Sequence, residues 1–392
     1  MPKVLIMTSV IGGGHVFRDL AIAQELKKIM PSGYEFIFAS GGNAYEMLQE
    51  EGVEVEKISA LDFPVHLGTA QFFKFYFMML RSEFLQILDL RRLIKKHHPV
   101  LVILDEYFFL TDYCRLRGIP VVFMCDFVGL PHYPFFRNPL RSLMERFFDV
   151  ILTHWLARRA NRWIFTGDID HIPRDDWRVR AQKLGIIIVE PITKLQYTPP
   201  PTRTEARKKL GFAEDERVVT VTVGCIGAGE YLLKAANEAA AQLIHKVPGL
   251  RMELICGKGI DSGSLRRTAK PGVRVHDYVG NFQEFIAASD AAVVQGGLTS
   301  TIECLMIGLP MVVVPLSNHW EQANTARYVS EKFGVRKIDA KEVTAELLAN
   351  ALLELLNEPT RLKAQFRGDG HITAARAIAS VLNFQDSASR VK

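Results

Sequence analysis

Short runs of apolar residues alternate along this chain with longer stretches whose apolar positions recur at helical spacing. Val4 to Met7 is followed by a helical pattern from about His15 to Met30, then by Glu35 to Phe38 and a further amphipathic stretch. Val100 to Leu104, a helix near Phe109 to Arg117, and Pro120 to Met124 continue the series before an aromatic-rich region that reaches Phe165. Continuous apolar runs bounded by turn residues suit strands buried on both faces, and their alternation with helices predicts a parallel sheet covered by helices.

Between Pro191 and Thr204 the sequence reads PITKLQYTPPPTRT, where successive prolines remove backbone donors and hold the chain extended. A linker is therefore expected over 191–204. A second alternating series follows, with strands at Arg217 to Val223, Met252 to Cys256, Val273 to His276, Ala291 to Val294 and Met311 to Val314. The expected fold is α/β, with two Rossmann-like domains facing each other. The N-terminal domain covers 1–190, the C-terminal domain covers 205–372, and a last helix and tail over 373–392 return to the N-terminal domain. Ligands of such sheets bind beyond the carboxyl ends of the strands, so a cleft between the domains is the expected place for chemistry.

A length of 392 residues agrees with two cores, and 48% apolar with 23% charged residues is an ordinary globular composition. A net charge of +5 without a basic tail or recognition motif argues against nucleic acid as a partner. The cysteines, Cys114, Cys125, Cys225, Cys256 and Cys304, show neither metal-ligand nor disulfide spacing and read as reduced core thiols. The apolar region Phe63 to Leu80 is broken by His66 and Lys74, short of the roughly 18 uninterrupted residues of a membrane span. Met1 to Thr8 runs directly into a glycine loop without a signal segment, so a cytoplasmic location is expected, at most against the inner face of the membrane.

Three loops concentrate the chemistry. The first, Ser9 to His15, places Gly12, Gly13 and Gly14 between a strand and a helix start, where backbone N–H groups can face an anion or polar ligand. His15, at its end, is the candidate general base, with Asp105, Glu106 or Asp126 as the carboxylate that orients it. The second loop is Gln295-Gly296-Gly297-Leu298-Thr299-Ser300, with Glu303 one turn into the following helix. Paired glycines bring the chain close to a diphosphate, the helix start supplies N–H donors, Thr299 and Ser300 add hydroxyls, and Glu303 can accept from ribose hydroxyls. The third, Pro315 to Asn324, gathers His319, Glu321 and Gln322 at another helix start, suitable for holding hexose hydroxyls. Asp168-Ile169-Asp170-His171 offers a metal-binding alternative, but a helix terminus can stabilise a leaving diphosphate without an ion, so neither metal nor cofactor is expected.

Together these residues resemble the donor-binding signature of GT-B inverting glycosyltransferases. The first loop is similar to that of MurG-like and monogalactosyldiacylglycerol-synthase-like enzymes. The resemblance implies a catalytic role for His15, a ribose contact for Glu303, and contacts to the transferred sugar from Glu321 and Gln322. It also implies that Val279 reads the nucleobase edge through its backbone, with uracil the usual base. Gly224 and Gly227 fall in a phosphate-facing loop in which Cys225 stands where serine is usual. Gln295 stands where retaining enzymes carry a first glutamate, which favours inversion. Arg18-Asp19 replaces the proline expected in the peptidoglycan enzyme, which argues against lipid I as the acceptor.

The expected activity is transfer of a hexose or N-acetylhexosamine from a UDP-linked donor to an acceptor hydroxyl. Aromatic and basic residues over Phe63 to Lys96 and Pro134 to Arg159 favour a membrane lipid as acceptor and a peripheral membrane partner. A nucleotide-sugar 2-epimerase and a noncatalytic donor-binding subunit are the alternatives on the same architecture.

Overall fold

The computed structural model describes residues 1–10, 12–60, 65–66, 69–70, 72–126, 128, 155–156, 158–224, 228–317, 319–357 and 366–382, with backbone only for 72–80 and 83. In chain order the strands are β1 (Lys3–Met7), β2 (Glu35–Ser40), β3 (Val55–Lys57), the hairpin pair β4 (Val65–His66) and β5 (Thr69–Ala70), β6 (Leu101–Asp105), β7 (Val121–Cys125), β8 (Arg162–Thr166), β9 (Ile187–Val189), β10 (Arg217–Thr222), β11 (Leu250–Ile255), β12 (Val273–His276), β13 (Ala291–Val294), β14 (Met311–Val313) and β15 (Arg336–Lys337). The first helices are α1 (Gly14–Ile29), α2 (Gly42–Glu50), α3 (Phe72–His97) and α4 (Leu110–Leu116).

Two compact units result, one from residues 1–63, 72–196 and 367–392, the other from 64–71 and 197–366. The first holds a seven-stranded sheet in the order β3-β2-β1-β6-β7-β8-β9. Its strands pair in parallel, in register Met7 with Ala39, Met7 with Leu104, Asp105 with Met124, and Cys125 with Phe165. Every residue of β6 and β7 is buried, as the continuous apolar runs require when helices cover both faces. The order places β1 between β2 and β6, so the connections leaving the sheet diverge at the carboxyl end of β1. That divergence is where such sheets admit ligands.

The helix Gly370–Val381 completes this first unit by packing on α1 and beside β8 and β9. Its entry is fastened by Glu190, whose carboxylate oxygens accept from the N–H groups of Arg367 at 3.0 Å and Gly368 at 2.8 Å. A Cβ on Gly370 would lie 2.1 Å from the Glu190 carbonyl oxygen, so the close approach admits only glycine.

The second unit holds a six-stranded parallel sheet, β12-β11-β10-β13-β14-β15. Its core joins β10, β11 and β13 to the helices Glu230–Leu243 and Ala345–Asn357 on one face, and β13 and β14 to Leu298–Ile307 and Trp320–Phe333 on the other. Arg207, fully buried, knits one edge: its guanidinium donates to the carbonyls of Ala288, Ala213, Glu214 and Glu216 and to the Asp290 carboxylate. Cys114, Cys125, Cys256 and Cys304 are buried free thiols, in keeping with the reading of the sequence, whereas Cys225 lies outside the described residues. Among the described residues no helix is long and apolar enough to cross a membrane.

Candidate active site

Parallel register brings the carboxyl ends of β1, β6, β7 and β8 side by side, so the residues that follow those strands converge although the sequence separates them widely. Gly12 turns the chain after β1 with φ of +84°, and α1 starts at Gly14 with no side-chain cap and no acidic residue in its first turn. His15, the second residue of α1, is buried, and its Nδ1 lies 2.8 Å from Oδ2 of Asp105 at the end of β6. Of the carboxylates considered from sequence, Asp105 is the one bonded to the imidazole. Glu106 Oε2 stands 3.7 Å from Nε2, and Asp126 instead engages Arg18.

Arg18, one turn along α1 from His15 and 3% exposed, was not singled out for this site from the sequence. Its Nη2 donates to Asp105 Oδ1, while its Nη1 donates to Asp126 Oδ1 and, at 2.6 Å, to Thr166 Oγ1. Thr166 also bonds Asp126. Asp19, wholly buried beside it, has both carboxyl oxygens without hydrogen-bond partners among the described residues. Burial and the nearby charge of Asp105 hold the Asp19 carboxyl well above the usual carboxylate range.

The remaining charges divide clearly. Burial works against ionised Asp105, but the adjacent Arg18 and His15 outweigh it and keep that carboxyl below its ordinary value. Burial likewise opposes a charged His15, yet Asp105 and Glu106 prevail over both burial and Arg18 and raise the imidazole above its ordinary value. Burial raises Glu106, with a further push from Asp105. Glu106 also has a backbone φ of +64°, the left-handed region that costs a non-glycine residue about 1–3 kcal/mol and is found disproportionately at functional sites. His15, Glu106 and Asp126 each offer a ligand atom within 4.8 Å of the others, a spacing open to a cation, although Arg18 already occupies the Asp126 oxygen. At the other sequence candidate for a metal, Asp168 caps a helical turn by accepting from Asp170 N, Asp170 lies against Arg178, and buried His171 stacks on Phe165.

In the second unit, β13 runs into buried Gln295 and then Gly296 at φ of +84°. A Cβ on Gly296 would come within 3.2 Å of the Gln322 carbonyl oxygen, which sets how closely this loop approaches the next. Gly297 is the N-cap of the helix Leu298–Ile307, whose start has neither side-chain cap nor acidic residue. Ser300 and Thr301 turn their hydroxyls back on the Gly297 carbonyl, at 3.3 and 2.8 Å. Leu298 is buried and Thr299 half-buried. Glu303 is buried, and its Oε1 accepts from Gln283 Nε2 at 2.9 Å, a supporting residue that carried no motif signal.

His319 caps the helix Trp320–Phe333 by accepting at Nδ1 from Gln322 N at 3.4 Å, and burial pushes its imidazole down to about 4, so it is neutral. Gln322 Oε1 accepts from Leu316 N at 2.9 Å, which fixes the amide and directs its NH2 group as the remaining donor. Glu321 sits half-buried in the first turn. Gly224 has φ of +69° after β10, and Val279 lies half-buried in the loop after β12, while Gly227 falls outside the described residues. A Cβ on Gly229 would come within 2.2 Å of Val223, a constraint on this loop that went unread in the sequence.

Residues 218–380 match the family model of the glycosyltransferase family 28 C-terminal domain. An uncharacterised glycosyltransferase of Methanopyrus kandleri is 24% identical over 379 residues, covering 93% of this chain and 100% of that protein. The UDP-N-acetylglucosamine–N-acetylmuramyl-(pentapeptide) pyrophosphoryl-undecaprenol N-acetylglucosamine transferase of Mycobacterium avium is 31% identical over 207 residues, covering 51% of this chain and 49% of that enzyme. Among solved structures, the glycotransferase of kitacinnamycin superposes with a TM-score of 0.69 at 20% identity, covering 97% of this chain and 100% of that one.

Proposed function

We propose that this glycosyltransferase, whose residues 218–380 match the family 28 C-terminal domain and whose fold is GT-B, transfers a hexose or N-acetylhexosamine from a UDP-linked sugar to an acceptor hydroxyl with inversion. The Asp105–His15 pair carries this reading. Ionised Asp105 can only accept, so the proton of the neutral imidazole sits on Nδ1, and the lone pair sits on Nε2. Among the described residues the carboxylate nearest Nε2, Glu106, is 3.7 Å away, beyond hydrogen-bond reach.

The acceptor oxygen attacks the anomeric carbon as its proton passes to His15 Nε2. The bond from that carbon to the diphosphate oxygen breaks, and its electron pair leaves with the nucleoside diphosphate. The uncapped start of Leu298–Ile307 suits the departing charge, since its first N–H groups have no side-chain partner and carry the positive end of the helix dipole. Glu303, steadied by Gln283, is placed to accept from ribose hydroxyls, and Gln322 to donate to the sugar through its free NH2. This assignment needs no metal.

The acceptor is a lipid at an anionic membrane surface. Phe84, Leu85 and Leu88 of α3 are exposed at 64, 37 and 47%, and Arg91, Arg92 and Lys95 are exposed one to three turns further on. Positions 84, 88, 91 and 95 form one stripe of the helix, and Leu88 joins Arg91, Arg92, Lys95 and Lys96 around a shallow open recess. Apolar side chains beside bases suit the boundary between acyl chains and anionic headgroups. The mycobacterial relative, by its name, also acts on a polyprenyl-linked acceptor. A thermal-shift series with UDP, dTDP and their glucose and N-acetylglucosamine conjugates tests the donor: stabilisation by UDP conjugates alone is expected, and no response to any of them would remove the reading.

A further inference from the structure

Arg18 donates to three side chains around His15, Asp105, Asp126 and Thr166. The two ends of its guanidinium serve different strands: Nη2 reaches Asp105, the last residue of β6, and Nη1 reaches Asp126 after β7 and Thr166 at the end of β8. Asp105 is thereby shared, with Oδ2 taking the imidazole at 2.8 Å and Oδ1 taking the arginine. A carboxylate bonded at only one oxygen can rotate about its terminal torsion, which has broad wells. Bonded at both, it presents Oδ2 in one direction only. Arg18 Nη2 also lies 2.5 Å from His15 Nδ1. That nitrogen thus faces both a donor, the guanidinium, and an acceptor, Asp105 Oδ2, and an Nδ1 that donates to ionised Asp105 accepts nothing from the arginine.

We propose that Arg18 is a positioning residue, a fork between Asp105 and Asp126 that locks His15 in the tautomer with the proton on Nδ1 and the basic Nε2 facing out. The inference rests on the reading of His15 as the base, and it assigns a purpose to the Arg18-Asp19 pair that departs from the peptidoglycan-enzyme pattern. A planar fork is suited to this task, because a lysine ammonium is a point charge and cannot hold two carboxylates in a fixed geometry. The groups facing His15 are Arg18 and Asp19 from its own helix, Asp105 at the end of β6, Glu106 after it, and Asp126 after β7. Removing the fork therefore leaves the ring among carboxyl groups with no fixed hydrogen-bond axis.

The test is a nitrogen-15 spectrum of histidine side chains in the full-length protein, taken at alkaline pH where the ring is neutral, with His15→Gln identifying the signals. The wild type is expected to show one nitrogen of His15 protonated, Nδ1. In Arg18→Met that single pattern should give way to the averaged signals of mixed tautomers, while the backbone amide spectrum stays folded. If Arg18→Met does not fold, Arg18→Lys retains a cation without the fork, and the same loss of a single tautomer is expected. A wild-type proton on Nε2, or an unchanged Nδ1 tautomer in whichever variant folds, would overturn the proposal. The spectrum needs neither donor nor acceptor, so a protein that transfers no sugar would sink the transferase mechanism while leaving this result to stand or fall separately.

Discussion

Gln283 Nε2 donates to Glu303 Oε1 over 2.9 Å, with both side chains buried. The bond ties the helix Phe282–Ala288 to the helix Leu298–Ile307 that follows the Gly296 loop.

Replacing Gln283 by alanine should therefore act on donor affinity before it acts on the chemical step. Loss of about 1–2 kcal/mol corresponds to roughly a 5- to 30-fold weaker Kd. Calorimetric titration with UDP checks this. Unchanged affinity in both Gln283→Ala and Glu303→Ala would remove Glu303 from the nucleotide site.

His15→Ala should lower transfer by about 10²- to 10⁴-fold, the usual range for a lost general base, while binding UDP as the wild type does. Product release measured by chromatography separates the two effects. Transfer at the wild-type rate would end the role of His15 as base.

The elevated imidazole sets the pH profile. His15 must be neutral to take a proton, so transfer should fall as pH drops through a value above the ordinary ~6.5 of a free imidazole. Asp105→Asn removes the carboxylate that contributes most to the elevation, and should move this acid limb down while lowering the maximum rate. By linkage, the raised value stabilises the folded state fully below about pH 6.5, and that contribution is lost as pH rises through the folded value. A profile of kcat/KM against pH whose acid limb stays in place in Asp105→Asn would contradict the pairing.

At the other unit's edge, Arg207→Met should cost about 1–3 kcal/mol, since it removes the guanidinium's hydrogen bonds to four carbonyls, while Asp290 keeps Arg203 and the Val218 N–H as partners. Urea unfolding reports the loss. Stability within about 0.5 kcal/mol of wild type would mean that these groups find other partners.

Phe84→Ser with Leu88→Ser should reduce co-sedimentation with vesicles rich in phosphatidylglycerol and leave UDP binding intact. Equal binding of wild type and variant to such vesicles would clear this helix face of a membrane role.

The alternation of strand and helix patterns placed β1, β2, β6, β7 and β10 to β14 within one or two residues, because strands buried on both faces leave continuous apolar runs. β3, β9 and β15, of two or three residues each, leave too short a pattern. His15 and the Gly296 loop were legible for a similar reason: a strand, glycines and a helix start lie together in sequence. The partner of His15 was not. Asp105, Glu106 and Asp126 are equivalent as residues after a strand, and only the order β1-β6-β7 with its register distinguishes them. Arg18 and Gln283 read as ordinary helix residues until the strands they face are known.

The helix Gly370–Val381 has a consequence for how the protein comes into being. It packs on α1, the helix of His15, yet in the chain it follows the whole of the second unit. Until it emerges, the nascent chain holds the buried residues of α1 without their cover, and the second unit, residues 197–366, is synthesised in the meantime. The first unit therefore cannot be completed before residues 197–366 have been made, and a chain that stops short of residue 367 leaves it unfinished.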